Sequence, residues 1–337
     1  MVIGGLYAQS SRMQYLESAR NFVIQTKSGA AYHYLVHSQQ TYKMQKKDGL
    51  LTIAGDEFNV DDIKEMRFVT LQRYVLSEDS TTFSGGYTID HGLLAFRRSM
   101  TKGQWNTLVV PFSLTGRQVL DAFGEGTLLA EPRGVTLGDA ATVEFDAIAL
   151  DTDAEVIAAG MHYLIKPTRE PDVAAGSMTN SIYAGKRIAG PVYVIPNVSM
   201  QNTEKTPSLS RLRSTDSNVF FALRGTYQKQ TASYAPTLSK LYTLDDSGQF
   251  VIAENGIQLQ AFRSWLELVK NTNNLDIRFY INGVDEDITG TSGLRDILIE
   301  NHQDDCIFDL SGRRIAGSAS QLKAGIYIIN GKKVNIK

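Results

Sequence analysis

The sequence predicts an all-β protein: a jelly-roll-like β-sandwich that follows a small N-terminal β-meander and precedes a small C-terminal β module. The first observation is that apolar and polar residues alternate through most of the 337 residues, which is the pattern of half-buried strands. The second is that turn residues separate these runs, including the Asn255-Gly256 and Asn330-Gly331 pairs, which favour tight hairpins. The third is that a single segment has the spacing of an amphipathic helix. Together they indicate a sandwich and not a parallel sheet with crossover helices.

Composition and charge exclude several classes of protein. Hydrophobic residues make up 42% and charged residues 21% of the chain, which is enough apolar side chain for a packed core. Lys and Arg number 34 against 36 Asp and Glu, a net charge of −2, so no nucleic-acid partner is expected. The one cysteine, Cys306, excludes an intrachain disulfide and Cys-rich zinc sites. No apolar run reaches the roughly 20 residues of a membrane-spanning helix, so no transmembrane segment is expected.

Residues 1–20 are interpreted as a signal-peptide remnant followed by a linker. Residues 1–8 are uncharged and mostly apolar or small, and a polar stretch follows them. Leu6 and Ala8 then take the −3 and −1 positions of a cleavage site. An ordinary frayed N-terminus is the alternative interpretation.

Residues 21–70 are predicted to form the β-meander. Its expected strands are short β-branched or aromatic runs, at residues 22–26, 32–36, 41–44, 50–53 and 67–69. A single helical turn is expected at residues 61–66.

Residues 71–284 are predicted to form the β-sandwich. Its expected strands are apolar runs, at residues 92–96, 105–112, 143–150, 162–166, 191–195, 219–223, 240–244, 250–253, 257–262, 265–269 and 276–281. The polar residues 198–217 are predicted to be a long loop.

The one predicted helix lies between Thr115, which can cap its N-terminus, and Gly124, which suits a left-handed C-terminal position. Val119, Leu120 and Phe123 form its apolar stripe. The helix is expected to close one end of the sandwich.

The last part of the chain is predicted to be a linker followed by a separate β module. Residues 285–304 begin with an acidic, Gly- and Thr-rich stretch and form the linker. Residues 305–337 form the module, with short apolar runs at 306–310, 313–315, 325–329 and 333–336.

The common catalytic and cofactor motifs are absent from the sequence, so no catalytic residue, cofactor or metal site is predicted. The histidines fall on separate predicted strands and loops, at His33, His37, His91, His162 and His302. The segment from Asp245 to Gly248 is similar to a calcium-binding loop, but its glycine comes at the fourth place and not at the sixth. A hairpin turn is therefore the preferred interpretation.

Trp105 and Trp265 are the candidates for stacking on sugar rings, because an exposed indole offers a flat apolar face. Core packing is the preferred interpretation for both. Trp105 precedes the apolar run 108–112, and Trp265 lies between Phe262 and Leu266.

The C-terminal sequence contains an ordered set of motifs, Phe308-Asp-Leu-Ser-Gly-Arg-Arg-Ile315, Leu322-Lys-Ala-Gly-Ile-Tyr-Ile-Ile329 and Asn330-Gly-Lys-Lys333. This order resembles the C-terminal sorting domain of secreted and surface proteins of Bacteroidetes, a small β-sandwich read by the type IX secretion machinery. The resemblance implies a sorting-like motif made of Asp309, Gly312, Arg313, Leu322, Gly325, Tyr327, Lys332 and Lys333.

Segments elsewhere in the chain are similar to proteins of the same class, at residues 22–69, 103–112, 163–167 and 276–283. The resemblance implies a protein that is secreted or on the outer surface of a Gram-negative bacterium of the Bacteroidales, and it implies no activity. A non-enzymatic role in binding or adhesion is the preferred interpretation. Its implied partners are a glycan or a host- or cell-surface protein, together with the secretion machinery. The alternative is a carbohydrate-active enzyme or an accessory glycan-binding module, which two close carboxylates in a cleft beside aromatic side chains would favour.

Overall fold

A computed structural model describes residues 19–38, 40–86, 88–179, 187–201, 204–230, 232–234, 240–253, 257–272, 274–290, 307–308, 314–315, 325–329 and 332–336, with side chains except at 173–191 and after 290. The chain divides into two compact units, the first ending at Thr289 and the second beginning at Gly290. The predicted signal-peptide remnant through residue 18 and both predicted Asn-Gly turns lie outside the described residues.

The N-terminal region forms two three-stranded antiparallel sheets. Its strands are β1 (Arg20–Thr26), β2 (Ala31–Val36), β3 (Met44–Lys47), β4 (Leu50–Ile53), β5 (Asp56–Asn59) and β6 (Ile63–Thr70). The sheets have the orders β2-β1-β6 and β3-β4-β5, so only the second is a consecutive meander. Their shared core contains Phe22, Ile24, Tyr34, Leu51, Ile53 and Phe58.

The helical turn predicted at residues 61–66 is wrong for most of its length. A 3-10 turn covers only Val60–Asp62, where the Asn59 side chain accepts a hydrogen bond from the Asp61 amide. From Ile63 the chain is extended as β6, because its backbone pairs with β1.

The rest of the first unit contains most of the strands and the one α-helix among the described residues. They are β7 (Arg73–Ser77), β8 (Ile89–Arg97), β9 (Asn106–Val109), β10 (Leu114–Thr115), α1 (Gly116–Phe123), β11 (Leu128–Leu137), β12 (Ala141–Ile148), β13 (Glu155–Ile157), β14 (His162–Lys166), β15 (Asp172–Thr179), β16 (Arg187–Met200), β17 (Ser210–Arg213), β18 (Val219–Thr226), β19 (Lys240–Leu244), β20 (Phe250–Ile252), β21 (Arg263–Asn271), β22 (Ile277–Asn282) and β23 (Glu286–Asp287). The all-β, sandwich-like fold class is confirmed.

Three sheets make up the sandwich, with the orders β15-β16-β8-β7, β23-β22-β12-β11-β14-β9 and β17-β18-β21-β19-β20. The six-stranded sheet is buried on both faces along β14. Leu164 packs into one core with Phe221 of the five-stranded sheet, while Tyr163 and Ile165 pack into a second core with Phe96 of the four-stranded sheet. This double burial explains why β14 is almost continuously apolar, since neither face needs polar residues.

The predicted helix is confirmed as α1. Thr115 is its N-cap in a capping box with Gln118, which satisfies two backbone donors that the first turn leaves free. Gly124 follows its last turn with φ 107° and donates its backbone N–H to Leu120. Val119 and Phe123 are buried in the core beside the four-stranded sheet. No helix among the described residues is long and apolar enough to span a membrane.

Several boundaries differ from the sequence-based predictions, and strands such as β7, β11 and β15 fall outside every predicted run. Residues 198–200 continue β16, and residues 210–213 form β17 inside the predicted loop. Residues 257–262 form no regular strand. Residues 285–289, predicted as the start of the linker, belong to the first unit, because β23 pairs with β22 and Ile288 is buried in the core.

The second unit contains a four-stranded antiparallel sheet with the order β25-β24-β26-β27. Its strands are β24 (Ile307–Phe308), β25 (Arg314–Ile315), β26 (Gly325–Ile329) and β27 (Lys332–Ile336). Each of the four short runs predicted in this part of the chain overlaps one of these strands.

Candidate functional site

A cavity of about 740 Å³ opens in the first unit, where the end of β8, the edge strand β9 and the beginning of β21 meet. Ser264 of β21 donates its amide to the Thr107 side chain of β9 at 3.1 Å, which joins the two sheets at this point. The walls are completed by a segment before β15, by the turn after β19 and by the chain before β21. The lining segments are residues 98–101, 105–107, 170–171, 243–246, 253, 257–260 and 263–264.

The floor of the cavity is cationic. Arg98 directly follows β8 and its side chain is fully buried, where it donates to the Thr107 carbonyl at 3.0 Å and to the Ser99 carbonyl. Glu78 Oε2 lies 3.6 Å from Arg98 Nη1 and 3.2 Å from Arg263 Nη2. Burial and the neighbouring Arg263 lower the pKa of Arg98 to about 9. Two guanidinium groups thus share one buried carboxylate.

Four buried polar atoms of residues that line the cavity have no hydrogen-bond partner within the protein. They are Nε of Arg98, Nε of Arg263, Nε1 of Trp105 and Oε1 of Gln260. Buried polar groups in folded proteins are almost always paired, so each exception needs an explanation. All four atoms are shielded from solvent, the space of the cavity included, so they lie behind its wall and do not face a ligand inside it.

The rim of the cavity is acidic. Glu170, Asp245 and Asp246 line it and are exposed. Asp245 Oδ1 accepts hydrogen bonds from Ser247 N, Ser247 Oγ and Gln249 N, and the flanking β19 and β20 pair as a hairpin. The predicted hairpin turn is therefore confirmed. Burial acts to raise the pKa of Asp245, but these hydrogen bonds outweigh it and lower the pKa.

The structure buries both tryptophans, which agrees with core packing and not with sugar stacking. Trp105 is 2% exposed and Trp265 is 5% exposed, so neither indole presents a free face on which a sugar ring could stack. Trp265 Nε1 donates to Glu267 at 3.1 Å. Trp105 lines the cavity from within the core, and Lys166 Nζ lies 5.6 Å from its ring centroid.

A buried serine–histidine pair lies beside the cavity. His162 Nε2 lies 2.6 Å from the Ser208 carbonyl, which requires a proton on that nitrogen, so Nδ1 accepts from Ser264 Oγ at 2.8 Å. Burial lowers the pKa of His162, and the bond to Ser208 opposes this shift in part. A neutral imidazole next to a hydroxyl is the arrangement of a base and a nucleophile. Here both residues are buried, and their bonds join β14, β21 and the segment before β17.

Another pair of histidines occupies the surface between β2 and β8. The rings of His33 and His91 stack with centroids 3.4 Å apart, and His91 Nδ1 lies 2.6 Å from Asp90 Oδ1. Burial and His91 lower the pKa of His33. In the described part of the chain, no group of three or more His, Cys, Asp or Glu side chains is arranged to hold a metal ion.

Half of the predicted sorting-like motif falls in described strands. Gly325 and Tyr327 lie on β26, and Lys332 and Lys333 lie on β27, with Tyr327 opposite Val334. The other four positions lie outside the described residues, at Asp309, Gly312, Arg313 and Leu322.

The charged floor of the cavity is not predicted from the sequence. Arg98 is part of an Arg97-Arg98 doublet after an apolar strand, and such a doublet is more typical of a solvated strand end. Arg263 lies 165 positions further along the chain. Only the pairing of sheets brings the two together.

No protein-family model, curated protein or solved structure matches the chain at a significant level.

Proposed function

We propose that this chain is a non-enzymatic binding protein, secreted or on the cell surface, which takes a glycan into the cavity above Arg98 and Arg263. The observation that carries the proposal is the cavity itself, with about 740 Å³ of space and polar side chains in its lining. Ligand sites in proteins range from about 300 to 1,000 Å³, so this volume suits one or two sugar units.

The chemistry of the lining supports a ligand rich in hydroxyl groups. Side-chain amides and hydroxyls surround the entrance, among them Thr101, Asn106, Thr243 and Gln258. Hydroxyl and amide groups both donate and accept hydrogen bonds, and sugar hydroxyls do the same. An apolar ligand would cover the Thr101 and Thr243 hydroxyls and the Gln258 amide without offering them partners.

Binding is favoured over catalysis by the state of the polar groups at the cavity. A glycosidase needs two carboxyl groups about 5 to 10 Å apart, one of which donates a proton. Asp245 is held in its turn and its pKa is lowered, which is the opposite of what a proton donor requires. A carbohydrate-active enzyme is the alternative proposal, and turnover of a bound glycan would establish it.

The proposed location outside the cell is supported by the resemblance of residues 308–333 to a sorting domain. Since the second unit begins at Gly290, a truncation after Thr291 removes that sheet and leaves the first unit whole. We expect the truncated protein to accumulate in the periplasm, measured by cell fractionation and surface proteolysis. Surface exposure of the truncated protein would contradict the sorting role.

A glycan array with matched variants tests the binding proposal. Gln258 is exposed at the cavity entrance, so Gln258→Trp blocks entry without touching the core. Gln45→Trp makes the same change on the exposed strand β3, away from the cavity lining. We expect wild-type protein and Gln45→Trp to bind the same glycans and Gln258→Trp to lose them. Absence of any glycan binding, or equal binding by both variants, would refute the proposal.

A further inference from the structure

We infer that the outer edge of β6 pairs with β6 of a second copy of this chain, so that two three-stranded sheets join into one continuous antiparallel sheet. The inference does not depend on the glycan proposal, because the described lining of the cavity contains no residue of β6. Three properties of β6 support it, which are its position at the sheet edge, its exposed apolar side chains and the order of its charges.

The first argument is that β6 is an edge strand. In the sheet order β2-β1-β6, the only partner of β6 among the described residues is β1. β6 is eight residues long, and the backbone groups of a strand point alternately to its two sides. Alternate residues of β6 therefore direct their N–H and C=O groups away from β1. A long edge with such groups readily pairs with a strand of another chain.

The second argument is that apolar side chains are exposed on β6, where the core of the N-terminal region ends. Met66 pairs with Ile24 of β1, and Phe68 pairs with Phe22. The two β1 residues are buried, at 0% and 8% exposure, whereas Met66 is 51% and Phe68 is 61% exposed. The apolar row on this face of the sheet thus continues onto the edge strand without cover. A strand added beyond β6 would cover it, and covering exposed apolar surface favours association.

The third argument is the order of the charges, which fits a second copy of the same strand. In an antiparallel pair centred on Met66, this residue lies opposite itself, and Glu65 of each copy lies opposite Arg67 of the other. Opposite charges at directly opposed positions stabilise a strand pair. Within one chain Arg67 Nε lies 3.2 Å from Glu65 Oε1, and both side chains are exposed. Both are therefore accessible to a partner strand.

The same charges disfavour the neighbouring registers. A pair centred on Glu65 would place two glutamates opposite each other, and a pair centred on Arg67 would place two arginines opposite each other. Like charges at such positions are destabilising. The register centred on Met66 also places Ile63 opposite Val69, so that apolar residues meet near both ends of the strand pair. The sequence of β6 thus specifies one register with a copy of itself, and a two-fold axis relates the copies.

Sedimentation equilibrium of the full-length protein over a range of micromolar concentrations tests the inference. We expect the wild-type chain to show a reversible monomer–dimer equilibrium. Glu65→Arg sets two positive charges opposite each other and Arg67→Glu sets two negative ones, so each variant alone should self-associate at least about tenfold more weakly. An equimolar mixture of the two variants should form a heterodimer, because every opposed pair in it has opposite charges.

Two further variants separate pairing at β6 from a general effect of charge. The double variant, with Glu65→Arg and Arg67→Glu in one chain, exchanges the charges and should restore the wild-type equilibrium. Glu57→Arg changes the net charge as Glu65→Arg does, but on the exposed position of β5, an edge strand of the other three-stranded sheet. Glu57→Arg should leave the equilibrium unchanged.

A cross-linking measurement does not depend on the charge variants. Cα atoms of directly opposed residues in an antiparallel pair are about 4.5–5.5 Å apart, which suits a disulfide. Met66→Cys, made together with Cys306→Ser, should therefore form a covalent dimer on mild oxidation. Lys46→Cys in the same background places a thiol on the exposed strand β3 and should remain monomeric on a non-reducing gel.

Several outcomes would overturn the inference. One is a monomer at every concentration together with no cross-link through Met66→Cys. Another is a dimer that Glu65→Arg and Arg67→Glu leave intact, since association would then use a different surface. A third is a full-length monomer that dimerises only after removal of residues 1–18, because the edge would then be occupied by its own chain.

Discussion

Replacing Gly248 with alanine tests how the hairpin turn forms a wall of the cavity. Gly248 has φ 76°, and an added Cβ would lie 2.5 Å from the backbone nitrogen of Trp105. The left-handed conformation costs a non-glycine residue about 1–2 kcal/mol. Overpacking a tight site costs about 1–3 kcal/mol more, and here the obstacle is backbone, which cannot rotate away. We therefore expect Gly248→Ala to lower the free energy of unfolding by roughly 2–5 kcal/mol.

Gly103→Ala provides the matched control for this substitution. Gly103 has φ 73°, but a Cβ there meets nothing within 4 Å, so only the conformational cost of about 1–2 kcal/mol applies. Equilibrium urea denaturation followed by tryptophan fluorescence measures both variants, because Trp105 and Trp265 are buried in the first unit. If the two variants lose the same free energy within about 0.5 kcal/mol, the proposed clash with Trp105 does not exist.

Three further predictions concern stability. Burial lowers the pKa of His162 below its ordinary 6.5, so as the pH falls the unfolded chain binds a proton before the folded chain does. The free energy of unfolding should therefore keep its highest value above pH 6.5 and decrease below it. If urea titrations show the same decrease for His162→Gln, His162 is not its cause. Trp265→Phe removes a hydrogen-bond donor to buried Glu267, whereas Trp105→Phe removes an Nε1 that has no partner. Trp265→Phe should therefore lower the free energy of unfolding by about 1–2 kcal/mol more than Trp105→Phe does. Equal losses in urea denaturation would contradict this. Truncation after Thr291 should leave the melting temperature of the first unit nearly unchanged in calorimetry, since that unit ends at Thr289; a large drop would show that the C-terminal sheet stabilises it.

Local features of the fold were predictable because neighbouring residues determine them. The Thr115 cap and the Gly124 terminus fix α1 within one short segment, and the turn beginning at Asp245 is held by its own side-chain bonds. Pairings between distant segments were not predictable in this way. The parallel pair of β12 and β22 places Val143 opposite Phe279, and no local turn or spacing specifies that neighbour. For the same reason the residues at the cavity floor could not be predicted, since they come from segments far apart in the sequence.

The polar structure of the cavity distinguishes it from a packing defect. A defect in a core is lined by apolar atoms, and the surrounding side chains relax into it only in part. Here Glu78 is fixed by Ser99 and by two guanidiniums, and Arg98 is fixed by the Thr107 carbonyl, so the floor is held in place by directional bonds. Keeping buried N–H donors without acceptors reduces stability. Proteins retain such local conflicts mainly where function requires them, and these directional bonds beside a space of about 740 Å³ are the reason for proposing the cavity as the binding site.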